Sequence, residues 1–162
     1  MALNALGSGS SGFKQPKVQE HGRDRNVLES FKNKNPHAKQ WVRLICSEFT
    51  SLCPKTGQPD WAEICVNYIP DKKMVESKSL KLFLNSFRET GGFHEDVCCI
   101  IADDLFSLMQ PHFLEVYGRF HPRGGIAIYP YVTRSKGRRW KGFEEQRILS
   151  FAQVETKGPV LK

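Results

Sequence analysis

The sequence predicts an α+β fold, in which a four-stranded antiparallel sheet carries two helices on one face. Two observations support this prediction. Apolar and polar residues alternate in four separate segments, as they do in half-buried strands, and the apolar residues of two other segments recur with the period of a helix. These segments follow one another in the order strand, strand, helix, helix, strand, strand (ββααββ), which is typical of a layered α+β domain.

The first two strands are predicted on either side of a turn. Residues 40–45 (QWVRLI) alternate in polarity, and residues 61–69 do so more regularly. Between them lies the segment SLCPKTGQPD, residues 51–60, whose Pro, Gly and Thr residues favour a turn. The sequence therefore places a cysteine and an acid in the turn between two paired strands.

The two helices follow directly. Apolar residues recur at i, i+3, i+4 and i+7 from Leu80, with Ser77 or Ser79 as the expected N-cap. A second helical pattern begins near His94 and ends before Pro111, and the acids at its start suit the positive end of a helix. The order of the elements then returns to strands.

The last two strands are predicted as a hairpin. Residues 113–120 and residues 125–132 alternate in polarity on either side of the turn HPRGG. The resulting sheet has two edge strands. Because open edges must be protected or paired, we expect the protein to oligomerise.

Length and composition favour a single domain without a membrane segment. The chain has 162 residues, and its Gly-, Ser- and charge-rich residues 1–26 predict a flexible tail before a domain at 27–150 and a C-terminal extension at 151–162. It contains no apolar run of about 20 residues that could span a bilayer and no signal peptide pattern, so we expect a cytoplasmic protein. Its five cysteines include no CxxC pair, which favours reduced thiols over disulfides or zinc.

The net charge of +7 favours anionic partners. Much of the excess lies before Lys39 and in the segment RSKGRRWKG, residues 134–142. With Trp140 among its charges, this segment admits a nucleic-acid-binding interpretation. A solvated terminal segment explains the same residues, and both interpretations stay open.

Cys53 is the candidate nucleophile. It lies in a turn, whereas the other cysteines occupy predicted strands or helices and are expected to be packed as small apolar residues: Cys46, Cys65, Cys98 and Cys99. A reactive thiolate needs stabilisation and a proton donor or acceptor, which the nearby Lys55 and Asp60 could supply. A packed Cys53, and an Asp60 that only bonds to turn amides, are the alternatives.

Motifs for other chemistries are absent from the sequence. It contains no GxGxxG, P-loop or HExxH pattern, and His94, Glu95 and Asp96 are consecutive, so they would diverge around a helix start instead of converging on a metal ion. The Glu95 carboxylate can instead accept two hydrogen bonds from a guanine-like edge. The segment ESKSLK, which starts at Glu76, suits a phosphate or another polar ligand at a helix start, or an ordinary capped helix.

Four motifs, EFTSLCPKTGQPD, VESKSLKLF, SFRETGGFHED and PRGGI, occur in this order. With these motifs the sequence resembles the NADPH-dependent 7-cyano-7-deazaguanine reductases, the nitrile reductases of queuosine biosynthesis in tRNA modification. The resemblance covers about Val27 to Arg147. It implies the tunnelling fold (T-fold) and homo-oligomeric barrels, pentamers that can pair, with active sites between subunits. It implies that the protein associates with no membrane and does not bind nucleic acid directly.

The resemblance also implies a mechanism. The cysteine that matches Cys53 adds to the nitrile carbon of 7-cyano-7-deazaguanine to give a covalent thioimide, and the acid that matches Asp60 supplies a proton to the nitrogen. Two hydrides from NADPH then give the aminomethyl product. A protonated thioimide is a better hydride acceptor than a nitrile, which makes this order chemically reasonable.

Substrate and cofactor residues are likewise implied by the resemblance. The expected substrate-binding residues are His94 and Glu95, together with a stretch offered across a subunit boundary: Val75, Glu76 and Ser77. The expected cofactor-binding residues are Lys78, Ser79 and Lys81, with Arg123 as a further candidate. A related tunnelling-fold enzyme that transfers nitrogen instead of hydride is the alternative, although relatives of that kind lack the ESKSLK segment.

Overall fold

A four-stranded antiparallel sheet forms the centre of the fold. The computed structural model describes residues 23–155, and within this range the helices are α1 (Ser77–Asn85), α2 (His94–Met109) and α3 (Arg138–Glu155). The strands are β1 (Ser30–Lys32), β2 (Val42–Leu52), β3 (Pro59–Ile69), β4 (Lys73–Val75), β5 (Phe113–Phe120) and β6 (Tyr131–Ser135). The central sheet has the order β2-β3-β5-β6, and β1 pairs with β4 separately. The predicted α+β class and the four-stranded antiparallel sheet are confirmed.

The core lies between this sheet and the two helices α1 and α2. Alternate residues of β3, from Ala62 to Tyr68, are buried on one face of the sheet. They pack with the apolar stripes of α1 and α2, which include Phe83 and Ile101. Burial of these stripes is what fixes both helices against the sheet.

A β-bulge in β2 brings polar residues onto the core face near the end of the sheet. The pairing of β2 with β3 shifts between Cys46 and Phe49, which leaves one extra residue on β2. After the bulge, Phe49 lies opposite Ala62 and Ser51 lies opposite Asp60. Because Ala62 is on the core face and side chains alternate along a strand, Asp60 also faces the helices.

The helix α1 is present as predicted, but its predicted N-cap is wrong. The N-cap is Glu76, whose carboxylate accepts hydrogen bonds from the backbone N–H groups of Lys78 at 2.8 Å and Ser79 at 2.7 Å. A carboxylate can cap two amides at once and suits the positive end of the helix, so it takes the place that we assigned to Ser77 or Ser79. The bounds of α2 agree with the predicted helix.

The predicted hairpin is confirmed, but its second strand begins later than residue 125. The strand β6 covers Tyr131–Ser135, whereas Arg123 and Ile126 close a tight turn through two backbone hydrogen bonds of 3.0 Å. Gly124 and Gly125 have φ values of +56° and +82°, which extended strand residues do not adopt. The apolar residues that follow the turn therefore lie in a loop.

The opposite face of the sheet carries α3, which we did not predict. Phe151 of α3 stacks on Tyr131, and Arg147 forms two hydrogen bonds with the buried carboxylate of Glu115 on β5. Asn67 and Tyr131 also donate hydrogen bonds to Glu115. A buried carboxylate needs such partners, so this network fixes α3 on the sheet.

The predicted domain bounds, residues 27 and 150, both lie inside the described range. Arg23 and Arg25 both contact the buried Asp104 of α2, and α3 continues past residue 150 to Glu155. Most of the predicted tail and part of the predicted extension lie outside the described residues. Among residues 23–155, no helix combines the length and the apolar character needed to cross a bilayer.

Candidate active site

Cys53 begins the loop that joins β2 to β3. The backbone N–H of Cys53 donates to the carbonyl of Gln58 at 2.8 Å, and the N–H of Gly57 donates back to the carbonyl of Cys53 at 2.9 Å. Gly57 has a φ of +68°, a conformation that favours glycine. The loop therefore fixes the position of Cys53 through its own backbone, directly after the last residue of β2.

The thiol of Cys53 is activated. Partial burial raises its pKa, but hydrogen bonds from the Thr56 hydroxyl, the Arg123 side chain and the backbone of Lys55 and Thr56 outweigh that effect and lower the pKa from 9.0 to about 7. By contrast, burial raises the pKa of Cys98 to about 12. Since the thiolate is the nucleophilic form, Cys53 is suited to react near neutral pH.

Asp60 is buried and has two partners. Its side chain is 3% exposed, and its Oδ1 atom lies 3.0 Å from Nε2 of His94 and in an ion pair with Arg123. His94 is the first residue of α2 and stacks on Phe120 with ring centroids 3.9 Å apart. The start of α2 and the end of β5 thus fix the imidazole against the carboxylate.

Cys53, Asp60, His94, Glu95 and Arg123 line one pocket of about 290 Å³. Its remaining wall is largely apolar and is formed by Pro54, Gly92, Phe93, Ile126 and Ile128. Small-molecule sites commonly combine an apolar wall with a few convergent polar groups. The structure therefore brings together five of the residues that we predicted from sequence.

Glu95 differs from Asp60 in its surroundings. It is exposed in the first turn of α2, and within residues 23–155 it accepts no hydrogen bond. A carboxylate at this helix end is favoured electrostatically, and both of its oxygens stay available to a ligand. Glu95 can therefore act as an acceptor for a ligand in the pocket.

The segment Val75–Lys81 does not line the Cys53 pocket. Val75 is buried at the end of β4, and the carboxylate of Glu76 is held by backbone amides of α1, which lower its pKa. Ser79 is buried, and its hydroxyl accepts a hydrogen bond from Glu29 N–H and donates to the carbonyl of Glu76. In this chain these residues build the start of α1.

Ser77 and Lys81 lie instead at a second pocket of about 300 Å³, between β2 and α1. The floor of this pocket is apolar, and its rim carries Lys81 and the exposed Arg88. Lys78 is exposed on the same helix. The predicted residues therefore form two groups, one around Cys53 and one along α1.

The basic segment 134–142 is partly engaged within the fold: two of its five cations are paired, whereas Arg138, Arg139 and Lys141 are exposed. Arg134 pairs with Asp103, and Lys136 pairs with Asp71, each at 2.7 Å. The ring of Trp140 stacks on His112 with centroids 5.2 Å apart. A nucleic-acid-binding surface needs free cations and an accessible aromatic ring, so these contacts count against that role for Arg134, Lys136 and Trp140 only.

Sequence reasoning missed some of the residues around Cys53 and its pocket. We assigned the stabilising charge to Lys55, whereas the structure shows Arg123 beside the thiol and only the backbone of Lys55. Thr56 and Ile126 were also not proposed. The glycine pair after Arg123 was the available signal, because it predicts a tight turn that holds the preceding residue in place.

Comparisons with known proteins show the family of this chain. A profile of the family described as QueF-like protein matches residues 59–139. The NADPH-dependent 7-cyano-7-deazaguanine reductase of Bdellovibrio bacteriovorus is 51% identical over 149 residues, which are 91% of this chain and 84% of the relative. The protein of the same name from Bacteroides thetaiotaomicron is 58% identical over 125 residues, 76% of this chain and 83% of the relative.

A solved structure supports the fold. The archaeosine synthase QueF-Like in its apo form matches with a TM-score of 0.57 and 20% sequence identity, over 62% of this chain and 99% of that chain. At this identity the likeness concerns the fold alone. The family follows from the sequence matches: the chain belongs to the QueF-like family, with the NADPH-dependent 7-cyano-7-deazaguanine reductases as its relatives.

Proposed function

We propose that this protein reduces the nitrile of 7-cyano-7-deazaguanine to an aminomethyl group with two NADPH, as a step of queuosine biosynthesis. The observation that carries the proposal is an activated thiol, Cys53, in one pocket with a buried acid, Asp60. Relatives that share half or more of their aligned residues with this chain carry the name of this activity. A cytoplasmic location suits a reaction that needs a reduced thiol.

The Cys53 thiolate starts the reaction. Its sulfur lone pair forms a bond with the nitrile carbon, and one π pair of the carbon–nitrogen bond moves onto nitrogen. The nitrogen takes a proton through Asp60, whose carboxylate first accepts that proton from His94. The product is a covalent thioimide. His94 contacts Asp60 at 3.0 Å and can return a proton to it for the next step.

Two reductions complete the conversion of the nitrile to the aminomethyl group. When bound, NADPH would supply a hydride for each, and the two hydrides with two protons would convert the nitrile carbon and nitrogen to CH₂NH₂. Between them the carbon–sulfur bond breaks, and its electron pair returns to Cys53 as the thiolate. Hydrogen bonds from Thr56 and Arg123 make that thiolate a good leaving group.

The residues present fit a nicotinamide dinucleotide phosphate. The apolar wall of the Cys53 pocket, with Phe93, Ile126 and Ile128, suits a flat ring, and Arg123 lies in the same pocket. Exposed cations suit its phosphates, and we assign that role to Lys78 and Lys81. We also assign Ser79 to this cofactor-binding segment, in which its hydroxyl fixes the start of α1.

Substrate recognition is assigned to two groups of residues. We propose that Glu95 accepts hydrogen bonds from the amino and ring N–H groups of the deazaguanine, while His94 forms the adjacent wall. Val75, Glu76 and Ser77 contribute from a neighbouring subunit. The separation of these residues from the Cys53 pocket within one chain supports that assignment.

We therefore propose a homo-oligomeric barrel, a pentamer or a pair of pentamers, with the sites between subunits. Within residues 23–155, the outer edges of β2 and β6 pair with no further strand, so they are available for pairing between subunits. Mixing Cys53→Ala with Glu76→Gln chains tests this arrangement. If the sites are shared, random mixing restores about a quarter of the sites, whereas sites within one chain give no recovery.

The reaction itself is tested by NADPH oxidation with and without 7-cyano-7-deazaguanine. We expect two NADPH per nitrile for the wild type and for the control Cys99→Ser, whose residue lies outside the pocket, and none for Cys53→Ala. A covalent adduct on Cys53 without NADPH oxidation would instead indicate a nitrogen-transferring relative. No adduct, together with steeply salt-dependent RNA binding, would favour the nucleic-acid-binding alternative.

A further inference from the structure

Arg123 is held rigidly over the active-site pocket by the backbone around it. Two hydrogen bonds of 3.0 Å join Arg123 and Ile126 across the glycine pair, and a further bond of 3.3 Å joins the guanidinium to the carbonyl of Gln58. Gln58 is also the residue whose carbonyl accepts the N–H of Cys53. The loop after β5 is thus tied to the loop that carries the nucleophile.

One guanidinium lies in the pocket that holds both proposed reactive groups. It forms an ion pair with the carboxylate of Asp60, and it lines the same pocket as Cys53, whose pKa it lowers. Its side chain is 35% exposed, whereas that of Asp60 is 3% exposed, so the contact with the acid is shielded from water. A planar guanidinium can serve two acceptors at once with separate N–H groups.

The two groups near this guanidinium, Cys53 and Asp60, both carry a negative charge when they are ionised. A thiolate next to a buried carboxylate is unfavourable because the two negative charges repel each other. A guanidinium stays charged throughout the accessible pH range, so it can compensate that repulsion at any pH at which the enzyme works. The thiol could not be ionised so readily beside Asp60 without such a cation.

We propose that Arg123 is a positioning residue that holds Cys53 as a thiolate and fixes Asp60 beside it in the resting enzyme. This role is distinct from cofactor binding, because it operates before any ligand enters the pocket. It rests on the proposed function only in assigning a use to the thiolate. The loop 121–130 is then the part of the fold that sets the reactivity of the nucleophile.

The test is the pH dependence of alkylation of Cys53 by iodoacetamide, without substrate or cofactor. The thiolate displaces iodide, and mass spectrometry of the proteolytic peptide with fragmentation distinguishes Cys53 from Cys46. We expect a midpoint near 7 for the wild type. In Arg123→Gln the midpoint should rise by about one pH unit, toward that of an ordinary thiol.

Two further variants make the result specific. Arg119→Gln removes an exposed arginine that pairs with Glu63 outside the pocket, and its midpoint should equal that of the wild type. Arg123→Lys keeps the charge but not the two-acceptor geometry, so it should lie between the wild type and Arg123→Gln. Circular dichroism verifies the fold of each variant. If Arg123→Gln is unfolded, the shift of the alkylation midpoint in Arg123→Lys decides whether the proposal holds.

An unchanged midpoint in the folded Arg123 variants would overturn the proposal. That result combined with a higher KM for NADPH would leave Arg123 with cofactor binding alone. The failure of the proposed function has a different signature. If the midpoint shifts while no variant, nor the wild type, oxidises NADPH with the nitrile, then the positioning role stands and the assigned reaction falls.

Discussion

Replacement of Asp60 by Asn separates proton donation from nucleophilicity. The substitution keeps the shape of the side chain and an oxygen that can accept from His94, but the amide cannot act as an acid. Asp60 is 3% exposed, so water has little access to take over its role. We therefore expect the substitution to slow the chemical step strongly and to destabilise the fold only slightly.

The expected magnitudes differ enough to distinguish the two effects. Loss of a positioned general acid lowers the rate about 10²- to 10⁴-fold, or roughly 3–5 kcal/mol in the barrier. The lost ion pair with Arg123 should cost less, about 1 kcal/mol, because that arginine is 35% exposed and water replaces part of the contact. Such a cost lowers the Tm by about 2–4 °C, so the variant stays folded in the assay.

Three measurements test the Asp60→Asn prediction. NADPH oxidation gives the rate, thermal unfolding gives the stability, and iodoacetamide at neutral pH reports whether Cys53 still reacts. Asp96→Asn, an exposed acid of α2 outside the pocket, is the matched control and should behave as the wild type. Asp60→Asn turnover above one tenth of the wild-type value would refute its role as the proton donor.

Three other predictions concern substrate binding, pH and packing. Glu95→Leu should weaken 7-cyano-7-deazaguanine binding about 10- to 100-fold in calorimetry without changing the circular dichroism spectrum, and normal affinity would exclude its role. Adduct formation at Cys53, followed by mass spectrometry, should fall about tenfold from pH 8 to pH 6, because protonation below a pKa of about 7 removes the thiolate; a flat profile would contradict this. Gly118→Ala should lower the Tm by several degrees, because an added Cβ would lie 2.7 Å from the sulfur of Cys98; an unchanged Tm would show that the core can adjust.

Local patterns were sufficient to predict the central elements. The alternation along residues 61–69 predicts β3 because its apolar face is fully used by the core, and the helical period before Pro111 predicts α2 for the same reason. Residues 125–132 show a similar alternation, but Ile126 is 70% exposed and lines the pocket instead of a core. Alternation of polarity therefore predicts a strand only where the apolar residues cover a core, and the sequence pattern alone does not show whether they do.

Local sequence patterns could not predict contacts between segments that are distant in the chain. Arg123 bonds to the carbonyl of Gln58, 65 positions away in the chain, and only the folded sheet brings the two loops together. The helix α3 was missed for a related reason. Its aromatic residues, such as Phe151, pack on the far side of the sheet, so their role depends on strands that precede them.

The covalent step tests the account most directly. Intact-protein mass spectrometry of the wild type with 7-cyano-7-deazaguanine and no NADPH should show a mass increase equal to the whole substrate, because addition to a nitrile releases no leaving group. The increase should map to Cys53, disappear when NADPH is added, and be absent from Cys53→Ala. NADPH-dependent nitrile reduction by Cys53→Ala at the wild-type rate would contradict the account.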